Sequence, residues 1–563
     1  KTLGSRPWWV SLLFGASSLP GMRMDSWLNV LVVVVAIWRF SPLKEAFPSF
    51  STQLPGEESD RSVTPLVNTT DSRAEAAVLG ALLGDALALQ THYEYSYHRI
   101  SDFYNSSLKG TVDKLGSTLR ANAEVLGLAI TPGLIGSHFD MKNWHPGKQG
   151  GDLTDYGDCV VMALEFVAEG GWNLTAFDEH WWSWIQEYKG YINMATKAIV
   201  QARRGTGLEG LDLLSHLDRS EDFFAMCRIP ALLFLDPGEE GPSQDDPQPS
   251  CAWSAQSQGM LDLVPTSIYP AFSRKTEAKQ YCEHLGSNLC GGISCWNREG
   301  SADAPSLTCV LTQPGMAELR EMGAAGRQVF SSSLLHCPAS GGPQSLMRSA
   351  MESASVQYAS SATFSSASYL AALAQVLLRG GAASRAEVSV AMREAVQRLP
   401  PSSRYLLRRV LDAVERKLRE AEEGGEGWPE DPVGVDDLAL RTFSLVGGAP
   451  AFEPYPCSRQ ECNYWQDLGK ASPTVPALTA VLYLLLRYAG QPLEHLLAVN
   501  AILGGDNAAR GVILGMLGGA MQGLVAIPPR LLSQLRVSPH VRHLLRQIRA
   551  RRTASAPPRS DQE

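Results

Sequence analysis

Gly80 and Gly84, four residues apart in an apolar stretch with a helical period, set the tightest limit on how this chain can fold. From Arg73 onward Ala74, Ala77, Val78, Ala81, Leu82 and Asp85 recur at helical spacing, with small residues throughout. A helix bare of bulk along one stripe lets another helix approach closely. The run from Leu514 to Gly523 is built of the same small residues. Further helical patterns occupy 116–130, 158–169, 175–204, 220–235, 343–425 and 433–550. No run of alternating strands is long enough for a parallel sheet, so an all-α architecture is expected.

At 563 residues the chain exceeds one ordinary domain, and 44% hydrophobic residues is globular composition. The net charge of −9 argues against nucleic acid as a partner, because phosphate binding needs a basic face. Residues 1–40 are read as a signal peptide or signal anchor and 41–72 as a Pro/Ser/Thr/Glu linker. Helical sequence then fills 73–236, a cysteine-rich insert 237–342, and helical sequence again 343–537. Residues 538–563 read as a basic, solvated helix end and a polar tail.

Met22 and Met24 precede an apolar run from Trp27 to Trp38, flanked by Arg23 and Arg39. Its length suits a signal-peptide core better than a membrane span, with a membrane anchor and a buried helix as alternatives. Sequons stand at Asn68, Asn105 and Asn173, as expected of a glycoprotein. Cys251, Cys282, Cys290, Cys295, Cys309 and Cys337 cluster in the insert, and Cys457 and Cys462 form a close pair. Clustered cysteines suit disulfides in an oxidising lumen, so a secreted or luminal protein is expected, a cytoplasmic or membrane-anchored one being the alternative. Cys290 and Cys295 lack a matching second pair, which makes zinc a poor reading of the insert. A small disulfide-stapled module, faintly similar to PAN/apple or WSC-type domains, fits better and would take a protein or carbohydrate ligand.

Three segments carry chemistry. Gly80 to Tyr95 places Asp85 in a small-residue helix, followed by His92, Tyr93 and Glu94; it reads as a helix end opening into a site, or as a packed helix whose Asp caps a neighbour. The stretch Asn143 to Asp158 is a Gly-rich loop entering a helix at Thr154 and Asp155. Its backbone N–H groups suit phosphate, its carboxylates suit a hard cation such as Mg²⁺, and Thr154 or Asp155 could equally be an N-cap. Finally Gly504-Gly505-Asp506-Asn507 opens the late small-residue helix, with Arg510 one turn in.

In order and wording these segments resemble the ADP-ribosylglycohydrolase superfamily, over roughly 73–236 and 343–537. That family writes Gly-Asp-Ala in a first helix, Thr-Asp-Asp-Thr in a middle loop and Gly-Gly-Asp-Thr-Asp-Thr in a late loop. A divergent branch, and lens crystallins that borrowed the fold, are more similar still to His145-Pro146-Gly147-Lys148, to Asp152 through Asp158 and to Gly504 through Gly511. Phe223 to Leu233, with Arg228, is similar to a further family helix. The resemblance implies an orthogonal helical bundle, interrupted here by a small disulfide-rich insert. It also implies Mg²⁺ held beside the ribose of ADP-ribose by Thr154, Asp155 and Asp506. The departures are Tyr156 and Ala508 at the second carboxylates, Ala509 at a threonine, and His92 where an acidic residue is expected. Losing oxygen ligands weakens a two-metal site.

The implied function is that of a Mg-dependent hydrolase of ADP-ribosyl glycosidic bonds, or a binder of ADP-ribose or an ADP-ribosylated substrate. Asp155, Asp158 and Glu94 are the catalytic candidates, and Asp506 is a further carboxylate. Asp85, His92, Lys148, Gly504, Gly505, Asn507 and Arg510 are the substrate-binding candidates; Lys148 or Arg510 would suit a diphosphate. The alternative is a pseudoenzyme, a non-catalytic structural or binding protein whose insert is the interaction module.

Overall fold

A computed structural model describes residues 70–94, 144–208, 213, 222–235, 252–253, 275–285, 289–290, 292–297, 307–312, 329–336, 346–358, 360–423 and 471–555. The leader, the expected linker up to residue 69, the expected helix at 116–130, the sequons Asn68 and Asn105, and Cys251, Cys337, Cys457 and Cys462 lie outside the described residues, and the last linker residues, 70–72, already belong to a helix.

Helix α1 spans Thr70–Ala88 and is buried on almost every side from Ala76 onward. A cβ-less stripe explains its position. An added Cβ at Gly80 or Gly84 would collide with the backbone of Gly515 or Gly511, and the reverse collisions hold too. The late helix, called α13 below (Asn507–Gln522), is therefore in backbone contact with α1 along two turns. Each interior glycine costs about 1 kcal/mol against alanine in helix propensity; the close approach of two apolar helices offsets it.

Between them in the chain run α2 (Asp155–Gly170), α3 (Leu174–Glu187) and α4 (Met194–Thr206). The sequence pattern suggested one helix over 175–204, but it breaks at Tyr188–Asn193. Asn193 has extended backbone and accepts the Thr196 N–H at 2.7 Å, starting a new helix. Asn173 caps α3 in the same way. Within the expected helix at 220–235, residues 222–235 form a 3-10 turn, Phe223–Arg228, capped by Asp222, and then the short α5, Ile229–Leu232, entered through Pro230. The fully buried Arg228 ties the body together: its Nε donates to Cys159 Sγ on α2 and its guanidinium to the Ser353 carbonyl.

The second helical block contains α7 (Leu346–Ser355), α8 (Ser361–Gly380), α9 (Arg385–Gln397) and α10 (Pro401–Glu423). After Ser472 come α11 (Thr474–Arg487), α12 (Leu493–Leu503), α13, α14 (Pro529–Gln534) and α15 (Ser538–Ser555). Pro492, Gly504 and Pro528 punctuate what the pattern suggested as one block. Helix α8 is long and apolar enough to cross a membrane but lies mostly buried in the core. Helix α15, expected as a solvated end, is docked: Val541, Leu545 and Ile548 are buried, and Arg549 reaches Glu75 at 2.8 Å.

The insert supplies α6 (Lys275–Leu285) and four strands. These are β1 (Ala252–Trp253), β2 (Gly292–Asn297), β3 (Leu307–Thr312) and β4 (Val329–His336). They pair antiparallel in the order β1-β4-β2-β3, and Cys295 stands opposite Cys309. A disulfide joins Cys282 to Cys290. Ala278, Tyr281, Cys282, Leu285, Leu289, Cys290 and Ile293 belong to the same apolar core as the helical body.

Candidate functional site

The site forms where α1, α2 and α13 meet. Asp85 lies near the C-terminal end of α1, and Asp155 and Asp506 lie at the N-termini of α2 and α13. The turn after α1 is sewn to the late loop by two backbone bonds. Tyr93 N–H donates to the Gly505 carbonyl at 2.8 Å, and Gly505 N–H to the Glu94 carbonyl at 2.7 Å. Gly504 and Gly505 both take φ of +69°, which the bend of the loop demands. Tyr93 takes φ of +64° without being glycine, a strained backbone of the kind that collects at functional sites.

Side chains lock the same junction. Thr91 Oγ donates to the Ala501 carbonyl at 2.6 Å, and Asn507 Nδ2 donates to Thr91 Oγ at 2.7 Å. Arg510 is fully buried, with Nε on Asn500 at 3.2 Å and a terminal nitrogen on the Gly504 carbonyl at 2.5 Å. Its charge is thus directed at the loop that carries Asp506. Gly504, Gly505 and Asn507 likewise act here through the backbone and the junction. The Glu94 side chain is half-buried.

Thr154 is the N-cap of α2, accepting the Tyr156 N–H at 3.2 Å. Its own N–H and hydroxyl donate to the two oxygens of Asp85 at 2.7 and 2.5 Å. Burial nonetheless lifts the Asp85 carboxyl to a pKa of about 7, against the lowering effect of those two bonds. Gly157 has no room for a side chain, because Asp85 fills that space.

Asp155 is buried, and one oxygen, Oδ2, accepts the Asn193 N–H at 3.2 Å. The other, Oδ1, has no hydrogen-bond partner. Burial, and then the neighbouring Asp85 and Asp506, hold the carboxyl well above the usual range. Facing it is a polar chain. His92 Nε2 lies 3.2 Å from Asp506 Oδ1, and His92 Nδ1 lies 2.7 Å from His145 Nε2. Tyr156 donates its hydroxyl to Asp506 Oδ2 at 2.9 Å, and Tyr93 meets the same hydroxyl at 3.1 Å. Burial lowers the pKa of both histidines, so both are neutral near pH 7. With His92 Nε2 donating to Asp506, its Nδ1 is left to accept from His145. His92 stacks on Tyr93 at 3.8 Å, and Tyr191 packs edge-on against His145 at 5.5 Å.

Asp158 stands apart from this centre. Its Oδ2 accepts from Lys148 Nζ at 2.8 Å and from the Tyr188 hydroxyl at 2.7 Å. The structure thus brings together Asp85, His92, Thr154, Asp155 and Asp506, and sets Lys148 with Asp158 in a half-buried outer pair. Sequence reasoning passed over His145 as a ligand-type residue, and also Asn193, Tyr188 and Tyr191. The last three come from a helix break with no periodic signal.

The donors do not fit a pair of magnesium ions. Mg²⁺ takes an octahedron of oxygens. Ala508 and Ala509 offer none, Thr154 gives its hydroxyl proton to Asp85, and both Asp506 oxygens accept bonds from His92 and Tyr156. What surrounds Asp155 is mixed nitrogen and oxygen: one atom each of His92, His145 and Asp155 lie within 4.8 Å of one another.

A family model described as ADP-ribosylglycohydrolase matches residues 66–243 and 252–558. The match runs beyond the three motifs, through part of the insert and the docked α15. Among solved structures, the chain is similar to one described as an ADP-ribosylglycohydrolase-related protein complex. That likeness has 14% identity and a TM-score of 0.40, covering 86% of this chain and 98% of that one. No curated protein matches.

Proposed function

Because the chain belongs to the ADP-ribosylglycohydrolase family, a hydrolase family whose substrates are of the ADP-ribosylated kind, we propose that it binds an ADP-ribosyl group against Asp155 and hydrolyses its glycosidic bond. The observation that carries this reading is the Asp155 Oδ1 atom, buried and without a hydrogen-bond partner. Leaving such an oxygen unsatisfied costs about 1–3 kcal/mol, which a bound ligand or its attacking water would recover.

In this reading water donates to Asp155 Oδ1 and loses its proton there as its oxygen bonds to the anomeric carbon. The bond to the departing group breaks, its electron pair leaves with that group, and solvent supplies the group's proton. A raised pKa makes Asp155 a stronger base once it is ionised. Asp506, close enough to affect it electrostatically, adds negative potential where the sugar ring turns positive, and Asp85 adds to it only once ionised. Asp506 is positioned by His92 and Tyr156. Mg²⁺ enters no step. Lys148, partly exposed and paired with Asp158, is the cation assigned to a diphosphate in this reading.

Calorimetric titration of ADP-ribose, with and without Mg²⁺, tests the binding half. We expect binding that does not require Mg²⁺ and that weakens at least about tenfold, or about 1.4 kcal/mol, in Asp155→Asn. No heat at millimolar ligand from folded protein would sink the reading. The second reading, binding without turnover, is favoured by Tyr156 occupying an Asp506 oxygen; it predicts the same heats but no ADP-ribose released from an O- or N-linked conjugate. We propose the secretory pathway as the protein's location; the apolar run Trp27–Trp38 and the Cys282–Cys290 disulfide support that reading. A mass shift on deglycosylation of the protein from its native source would support that location, and an unmodified Asn173 in an unglycosylated chain would count against it.

A further inference from the structure

We propose that His92, His145 and Asp155 bind one borderline transition-metal ion of the Zn²⁺ class, where the resemblance called for hard, oxygen-bound cations. All three residues are buried, and one donor atom of each lies within 4.8 Å of the others. Two imidazole nitrogens and a carboxylate oxygen select zinc, cobalt or nickel over magnesium.

Three further observations point to a ligand. Asp155 Oδ1 is buried with no hydrogen-bond partner, while its Oδ2 is anchored on the Asn193 N–H. The outer nitrogen of His92 lies on Asp506, and Asp506 is steadied by the Tyr156 hydroxyl. This carboxylate–histidine arrangement fixes the tautomer and raises the basicity of a metal-bound imidazole. The His92 ring is clamped by its stack on Tyr93, whose backbone is held in the left-handed region.

His92 Nδ1 and His145 Nε2 now share a proton across 2.7 Å. An ion would take the place of that proton, which moves to His145 Nδ1 so that both rings remain neutral ligands. The rings would part and tilt until the nitrogens stand about 3.3 Å apart, as bonds of about 2.0–2.1 Å in a tetrahedron require. Three protein ligands leave a fourth position open for water or a ligand oxygen. The inference concerns the same pocket as the functional reading but needs no nucleotide.

The test uses the full chain, stripped with chelator and then titrated with Co²⁺ or Zn²⁺. We expect one equivalent taken up, Co²⁺ visible bands of the strength of a low-coordinate site, and no thiolate-to-cobalt charge-transfer band. Zn²⁺ should displace Co²⁺, and millimolar Mg²⁺ should not. His92→Ala and His145→Ala should each weaken uptake about a hundredfold or more, and Asp506→Asn by about 10–100-fold. Glu165→Gln, partly exposed toward the C-terminal end of α2 and paired with His540, should bind as the unaltered chain does. Should the histidine variants fail to fold, the unaltered chain decides alone. No stoichiometric uptake, a thiolate band, or uptake undiminished in folded histidine variants would each overturn the proposal. Uptake without ADP-ribose binding would overturn only the functional reading, and ADP-ribose binding without uptake only this one.

Discussion

Asp85 is fully buried and accepts two hydrogen bonds from Thr154, yet burial raises its pKa from 3.8 to about 7. The folded chain therefore holds this proton in a range where the unfolded chain has released it. Stability from Asp85 is full below about pH 4 and is lost as the pH rises through about 7, to a total of up to about 4 kcal/mol. Comparing urea midpoints of the unaltered chain and Asp85→Asn across this range should show the variant losing that downward slope. Parallel curves would mean that Asp85 stays ionised in the fold. Asp85, Thr154, Asp155 and Asp506 were legible in the sequence because each sits beside a glycine-bearing helix end. Tyr156 was legible as a missing carboxylate, but not as a phenol turned onto Asp506, since that depends on α13 arriving opposite α2. His145 stood in a quoted motif, yet only its approach to His92 marks it as a ligand-type residue.

The pairing of α1 with α13 depends on which glycines meet backbone. A Cβ at Gly84 would strike Gly511, and one at Gly515 would strike Gly80, atoms that cannot move unless a helix moves. Overpacking of this kind costs about 3 kcal/mol, partly offset by the roughly 1 kcal/mol that alanine adds in helix propensity. Gly84→Ala and Gly515→Ala should thus each lose about 2 kcal/mol by chemical denaturation. At Gly518 the nearest atoms belong to the Leu493 and Leu496 side chains, which can rotate away. Gly518→Ala should stay within about 1 kcal/mol of the unaltered chain, and equal losses at all three would refute the backbone-contact account. Glycine spacing announced that close packing occurs, while the partner lay more than 400 residues away in sequence and could not be read from it. The break at Tyr188–Asn193 was also invisible, because its residues carry no periodic signal of their own and the Asn193 cap that starts the next helix depends on local backbone geometry. The strands of the insert fell among turn residues and cysteines that mask a period of two.

At the scale of the whole molecule, the two helical blocks make one core, and the insert shares it instead of standing off as an independent module. Helix α6 carries Ala278, Tyr281, Cys282 and Leu285 into that core, and His284 reaches Ser368 on α8 at 3.0 Å. The Cys282–Cys290 bridge closes a short loop, so it tethers the end of α6 without linking insert to body. Coupling between the two therefore runs through packing, and Tyr281, buried against the body, is where it should be measured. Replacing a buried aromatic by alanine removes about 3–5 kcal/mol. If insert and body unfold together, Tyr281→Ala lowers the free energy of global opening. The slowest-exchanging amides of α1 and α13, which report that opening, then exchange about a hundredfold faster or more. If the insert opens by itself, exchange quickens in α6 and β2 alone, and α1 and α13 keep their protection. Hydrogen exchange read element by element separates the two outcomes. Coupled opening would mean that whatever the insert binds also bears on the stability of the helices that hold Asp85 and Asp506.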